Sequence, residues 1–464
     1  MDGDHMLLAG AAEADITPDL DIQISGDIGR RRPVEEIREH IFARVLMLDD
    51  GQTRFCVVSM ELCAVTDESV AEIRQRAAKR AGIETGAILV HAVQNHAAPR
   101  LGSSSVEDTY RGVSEELWWL RGGDERYNEP TVAAIVQAIE TANARLQPVT
   151  VRVGREIDGR AAFNRRFVMR DGTARGHPKP SERKQILYCE GPIDPEVGVV
   201  VFEAADGQNV AALLHYTCHP VHGYPHRYII GDWPGTWASA MRGALGAGCV
   251  PLVVNGCCGN IHHNNHLDPT HVNNHIRMGS LLAESAERAM RDLGTQAKPL
   301  VAWRSTTLHL PQRILAADEI EVARRYLTEH PDPPQRADVT DAVAFEWDWV
   351  YAHCTLDLAR LQERKATYDY EVQVLRFADS ALVGLQGEPF VEGQLKIKLN
   401  SPFAHTFVAH MANGSAGYVP TAEALSRGGY ETRTAHWSKL QPDALDVISD
   451  EALRLLQELF ADGA

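Results

Sequence analysis

Residues 55–93 read FCVVSMELCAVTDESVAEIRQRAAKRAGIETGAILVHAV, and this stretch decides the fold class. The runs FCVVSM (55–60) and AILVHAV (87–93) are almost wholly apolar and rich in β-branched residues, the character of strands covered on both faces. Between them apolar positions recur at helical spacing over 67–81, so the three segments form a βαβ unit. Outward from it, a helix is expected near 126–145. Strands follow at VTVRVG (149–154), VGVVVFEA (197–204) and VAALLHYTCH (210–219), then VPLVVNGC (250–257) after a helix near 236–247. Helical spacing returns from Val272 to Leu293 and from Val339 to Lys365, with PDPPQ (331–335) as the breaker. Strands are expected again at YEVQVLRF (370–377), ALVGLQG (381–387) and TFVAHMAN (406–413), before a closing amphipathic helix over 443–460. The expected architecture is a layered α/β sandwich, its mixed sheets covered by helices, in a single large α/β domain over residues 1–464. Residues 156–196, with scattered Gly, Pro, Arg and Lys and little periodicity, read as a long functional loop.

The 464 residues carry 63 acidic and 46 basic side chains, a formal net charge of -17, which repels a phosphate backbone and excludes nucleic acid as the expected partner. No apolar run approaches the ~18 residues of a membrane-spanning helix, so no membrane insertion is expected. The first residues show no basic segment followed by an apolar one, and a cytoplasmic location is the expectation. The eight cysteines form no CxxC pair and read as reduced core residues, Cys257 and Cys258 included. A small-molecule substrate is the expected partner, and a homo-oligomer is compatible with the sequence.

Three stretches run from a strand into a turn bearing His or Glu: VHAVQNHAAP (90–99), LLHYTCHPVHG (213–223) and GLQGEPF (384–390). Period-2 alternation along the first puts Gln94 and His96 on one face and His91 on the other. Twenty histidines, clustered at 215–226 and 262–275, favour a metal or acid–base site over scatter.

Through these motifs, from about residue 8 to 435, the sequence resembles the neutral or alkaline non-lysosomal ceramidases. The family's His-Thr-His-Ser-Gly-Pro turn is similar to Gln94-Asn95-His96-Ala97-Ala98-Pro99, its second zinc histidine to His219, and its zinc glutamate to Glu388 in GEPF. Its zinc-ligating tyrosine resembles Tyr418, with a second tyrosine, Tyr430, twelve residues on as in the family. Its substrate-contacting arginine resembles Arg165 in Asn164-Arg165-Arg166. Two residues depart: Gln94 stands where the family has a zinc histidine, and His262 where it has a serine, which excludes a serine nucleophile there.

The resemblance implies a hydrolase in which a divalent metal, zinc by analogy, is held by His219, Glu388 and Tyr418, with Gln94 or His96 completing the shell. His96 would act as general acid and base, Arg165 and Tyr430 would stabilise an oxyanion, and Asp232 would orient a histidine or cap the helix after it. No counterpart of the family's appended β-sandwich domain is expected, and long-chain ceramide is expected to be a poorer substrate than small amides, esters or sugar derivatives. The competing reading, for which Gln94 and the candidate catalytic His262 argue, is a glycoside or ester hydrolase using His and carboxylate acid–base chemistry, with Glu388 and Asp232 or Glu61 as carboxylates and no metal. A non-catalytic binding protein is the third.

Overall fold

The computed structural model describes residues 6–103, 110, 113–268, 270–296 and 299–462. A large mixed sheet is built from β1 (Leu8–Asp15), β2 (Phe42–Asp49), β3 (Arg54–Met60), β4 (Ile88–Ala92), β5 (Gln147–Ile157), β6 (Glu196–Ala204), β7 (Asn209–Tyr216) and β8 (Val250–Asn255). Their order across the sheet is β8-β7-β6-β5-β1-β2-β3-β4, with Gly294–Thr295 added against β5. Only β3–β4 and β7–β8 pair parallel, because only those neighbours are joined through helices, Asp67–Ala81 and Asp232–Leu245. A second sheet, β9 (Val301–Pro311), β10 (Thr367–Phe377), β11 (Ser380–Leu385) and β12 (His405–Ala409), is antiparallel except between β11 and β12.

The two sheets face one another. Phe377 and Leu382 of the second share a buried core with Val45, Leu89 and Phe202 of the first, and the ring of Phe407 lies where a Cβ on Gly198 would meet it at 2.4 Å. Helices Asp67–Ala81 and Glu125–Ala144 cover the outer face of the large sheet, with Asp232–Leu245 and His275–Ala289 packed alongside. Val391–Asn400 and Ala444–Ala461 cover the second. The four layers, helix on sheet on sheet on helix, are the α/β sandwich expected from the strand character. The parallel pairs end at turns, and those turns deliver His96, His219 and Asn255 to one rim.

Three readings need correction. Residues 156–196 are not one loop: β5 runs on to Ile157, and Arg166–Met169 pairs antiparallel with both Ala174–Gly176 and Ile186–Cys189. Asp171-Gly172 is the hairpin turn, Gly172 at φ +84 and the Thr173 amide donating to Asp171 Oδ1 at 3.0 Å; the buried charge of Arg166 hid the strand behind a polar pattern. Strands Leu8–Asp15, Phe42–Asp49 and Val301–Pro311 were not expected: the first is mostly Ala and Gly, the second carries its apolar run only over Val45–Leu48, and the third mixes apolar with polar residues. The strand of 87–93 ends at Ala92, so alternation does not govern Gln94, whose φ is +71. All eight cysteines are free, and all but Cys189 are buried. Among the described residues no helix is long and apolar enough to cross a membrane.

Candidate active site

Four segments far apart in sequence meet at the rim. Glu388 and Tyr418 are fixed relative to one another by a parallel bridge, Glu388–Pro389 against Tyr418–Val419, in register residue for residue. Gly387, at φ +67, makes the turn into this bridge; a Cβ there would stand 2.3 Å from the Gly417 carbonyl oxygen. His219 follows the end of β7, and Asn255 braces that turn: its amide nitrogen donates to the carbonyls of Val93 and Cys218, both at 2.9 Å. Asn95 does the same on the other side, donating to Ile230 O at 2.7 Å while its Oδ1 accepts from Ala97 N.

The two histidines are set by backbone carbonyls. His96 Nδ1 lies 2.9 Å from Gly26 O and His219 Nδ1 3.2 Å from Cys258 O. A carbonyl only accepts, so in each neutral ring Nδ1 carries the proton and Nε2 is a bare lone pair. Burial favours that neutral state, holding His96 down at about 3 and His219 well below its ordinary value. The two Nε2 atoms face each other at 2.9 Å. Glu388 Oε2 lies 3.9 Å from His219 Nε2, is buried, and makes no hydrogen bond. Burial pushes the Glu388 carboxyl up to about 7, against the pull of hydrogen bonds to Gln94 and Tyr418 and the charge of Arg165.

Gln94, His96, Glu388, Tyr418 and Tyr430 all line one cavity of about 200 Å³. Tyr430 stacks on Trp437 (ring centroids 5.8 Å apart, 21° between planes) and meets the Tyr418 ring edge-on. Arg165 does not line the cavity. It sits behind Tyr418, one guanidinium nitrogen donating to the Tyr418 hydroxyl at 3.2 Å and to Gly259 O at 2.7 Å, and it is ion-paired with Glu431. The sequence reading missed Glu431, which joins Arg165 and Arg166 from the position next to Tyr430. A carboxylate beside a singled-out tyrosine, with two adjacent arginines to match, was the available signal.

The remaining expectations separate. Asp232 accepts from His222 Nδ1 at 2.6 Å and from the backbone of His222 and Trp233, so the histidine it orients is His222, not His96 or His219. His262 bridges by its backbone to His219, but its ring turns away, accepting from Asn264 N and packing edge-on against His177. Glu61 is buried against Arg44 and the Phe42 amide. Neither Asp232 nor Glu61 reaches the cavity, which leaves the metal-free carboxylate pairing without its expected partner for Glu388. His91 is structural, bonded through its ring to His410 O and Asn255 N.

No protein-family model matches this chain, and no curated protein sequence matches it. Solved structures do. The neutral ceramidase from Pseudomonas aeruginosa superposes with a TM-score of 0.73 at 18% identity, over 98% of this chain and 75% of its own. A structure described as ceramidase complexed with C2 gives 0.71 at 17% identity, over 99% and 76%. The likeness read from scattered motifs is thus a likeness of whole fold.

Proposed function

We propose that this protein is a metal-dependent hydrolase that cleaves an amide or related bond of a small substrate. The observation that carries the reading is the pair of bare Nε2 lone pairs of His96 and His219 at 2.9 Å, beside the unpartnered Oε2 of Glu388. Two acceptors that face each other repel, and a shared cation relieves them. Among the described residues no three His, Cys, Asp or Glu side chains hold a metal by themselves. His96, His219 and Glu388 would form such a set once Glu388 Oε2 closes the 3.9 Å to His219 Nε2, with the Tyr418 hydroxyl, which hydrogen-bonds Glu388, as a fourth donor. Two imidazoles, a carboxylate and a phenol are nitrogen and oxygen donors suited to zinc. A divalent ion so held supplies a Lewis acid and a water acidic enough to lose its proton near neutrality.

The chain's own residues do the rest. The Gly26 and Cys258 carbonyls fix both ring tautomers. In the family the position of Gln94 is a zinc histidine. Here its side chain hydrogen-bonds Glu388 and accepts from Cys258 Sγ at 3.5 Å, so it positions the carboxylate. Arg165 holds the Tyr418 hydroxyl and keeps positive charge behind it. Tyr430, on the cavity wall and partly exposed, can donate to an oxygen gaining negative charge. A cavity of about 200 Å³ suits a compact substrate better than a long acyl chain. The fold shared with the ceramidases supports a hydrolase of that general kind. The reading is tested by elemental analysis of the purified protein, together with release of amine from small N-acyl compounds before and after chelation. Activity that survives removal of all metal refutes it.

Two variants probe the arrangement. Tyr430→Phe is expected to keep the metal and lower turnover roughly 100-fold, the usual loss for one oxyanion donor; if metal content falls with activity, that role is wrong. Gly26→Ala would place a Cβ 2.3 Å from His96 Nδ1, at a φ of +88 that L-residues rarely adopt. We expect turnover to drop at least ~10-fold and stability by about 1–3 kcal/mol, read by steady-state kinetics and thermal unfolding.

A further inference from the structure

The cavity that Glu388 and His96 reach is also lined by Arg100 and Arg121, neither of which belongs to the proposed hydrolytic centre. Each has a buried Nε with no hydrogen-bond partner, and among the described residues neither forms an ion pair. The electrostatic neighbours of Arg100 that raise its pKa are the Cys63 thiol and the Glu68 carboxylate, and they do not offset its burial, which lowers the guanidinium below its usual value. Arg100 and Arg121 are half-buried, whereas the buried arginines are answered: Arg44 is paired with Glu61, Arg165 with Glu431, Arg166 with Glu190 and Glu431, and Arg32 and Arg376 donate to backbone carbonyls.

Among the described residues the surroundings add donors and positive charge, and no nearby carboxylate, Glu68 included, forms an ion pair with either arginine. Trp437 Nε1 on the same wall has no partner. Lys439 donates to the carbonyls of Ala416 and His436, and His436 feels both Lys439 and Arg100. Asp27 is the other carboxylate on the wall besides Glu388, and it is engaged by Arg32 and by a hydrogen bond from Tyr224. Backbone makes room for the guanidinium: Gly122 has φ +63, and a Cβ there would stand 2.8 Å from Arg100 Cδ. A planar cation with free N–H groups in a confined polar space is suited to bind a carboxylate or phosphate in bidentate fashion.

We propose that the cavity takes a compact substrate bearing an oxyanion, a carboxylate or a phosphate, held by Arg100 and Arg121 while the bond to be broken lies against His96, Glu388 and Tyr418. The placement of that bond rests on the hydrolase reading; the binding of the oxyanion stands apart from it. Calorimetry of the full chain with succinate, succinamide and inorganic phosphate tests the oxyanion. Succinate or phosphate should bind at least ~10-fold more tightly than the neutral succinamide, and whichever anion binds tighter names the group. Arg100→Met and Arg121→Met should each weaken that anion at least ~10-fold, a change that carboxylate ligation to a metal would not produce. Should a methionine variant fail to fold, Arg100→Lys, which keeps the charge and loses the fork, should still weaken binding. Succinamide binding as tightly as both anions, or anion affinity indifferent to these substitutions, overturns the proposal. Cleavage of the 4-nitroanilides of succinate and acetate tests the reaction: anion binding without cleavage of either would count against the hydrolase and leave the anion site intact.

Discussion

His219→Ala and Glu388→Ala are each expected to remove bound metal and cut hydrolysis by about 1000-fold or more, beyond the loss from a single oxyanion donor. The geometry explains why these two outrank their neighbours. His219 Nε2 is the atom both others converge on, 2.9 Å from His96 Nε2 and 3.9 Å from Glu388 Oε2. Without it His96 regains a lone pair facing empty space, and the carboxylate has no partner across the gap. Glu388 has one oxygen free of any hydrogen bond, so alanine there removes the single anionic donor in the set. Metal content by elemental analysis and initial rates on an N-acyl substrate should fall together. Retained metal with lost activity would move that residue from ligation to proton transfer.

Arg166→Met is the largest expected effect on stability, about 3–5 kcal/mol, the range for breaking a buried ion pair from one side. Arg166 is fully buried, paired with Glu190 and Glu431, and donates to Gly428 O at 2.8 Å. Methionine fills most of the volume and leaves Glu190 without this buried partner, and Glu431 with Arg165 alone. Because Arg165 in turn holds Tyr418, the damage should reach the cavity: urea unfolding would show the shift in midpoint, and turnover of the surviving folded fraction should also fall. A loss under ~1 kcal/mol would mean water or neighbouring groups compensate the two carboxylates.

Much of this was legible in the sequence because it rests on periodicity. The helix expected over 67–81 is Asp67–Ala81, started by Thr66 accepting from Ser69 N and ended by Gly82 in the left-handed region. The buried strands of β3, β4, β6 and β8 announce themselves as apolar runs for the same reason. Gln94, His96, Glu388, Tyr418 and Tyr430, singled out from their turns and spacing, line one cavity. What the sequence hid depends on partners distant along the chain. Arg166 reads as a loop residue until Glu190 and Glu431 are seen to neutralise it. Asp232 could not be assigned to His222 rather than His219 without the turn that brings His222 back over the start of its helix. Arg100 looks like an ordinary surface residue after Pro99, and only the enclosing walls reveal that it forms no ion pair among the described residues.

The parallel bridge that sets Glu388 beside Tyr418 also carries a consequence for how the chain is made. No local segment contains the proposed centre, since its parts are drawn from positions 96, 219, 388 and 418. A centre closed by such distant pairings forms late, after slow loop closures, and a ribosome must release Tyr418 before it can exist. A large sheet formed before the second one docks would leave Phe202 and Leu89 uncovered, since Phe377 and Leu382 share their core. Apolar surface left uncovered in that way favours aggregation, so the refolding yield is expected to fall as protein concentration rises.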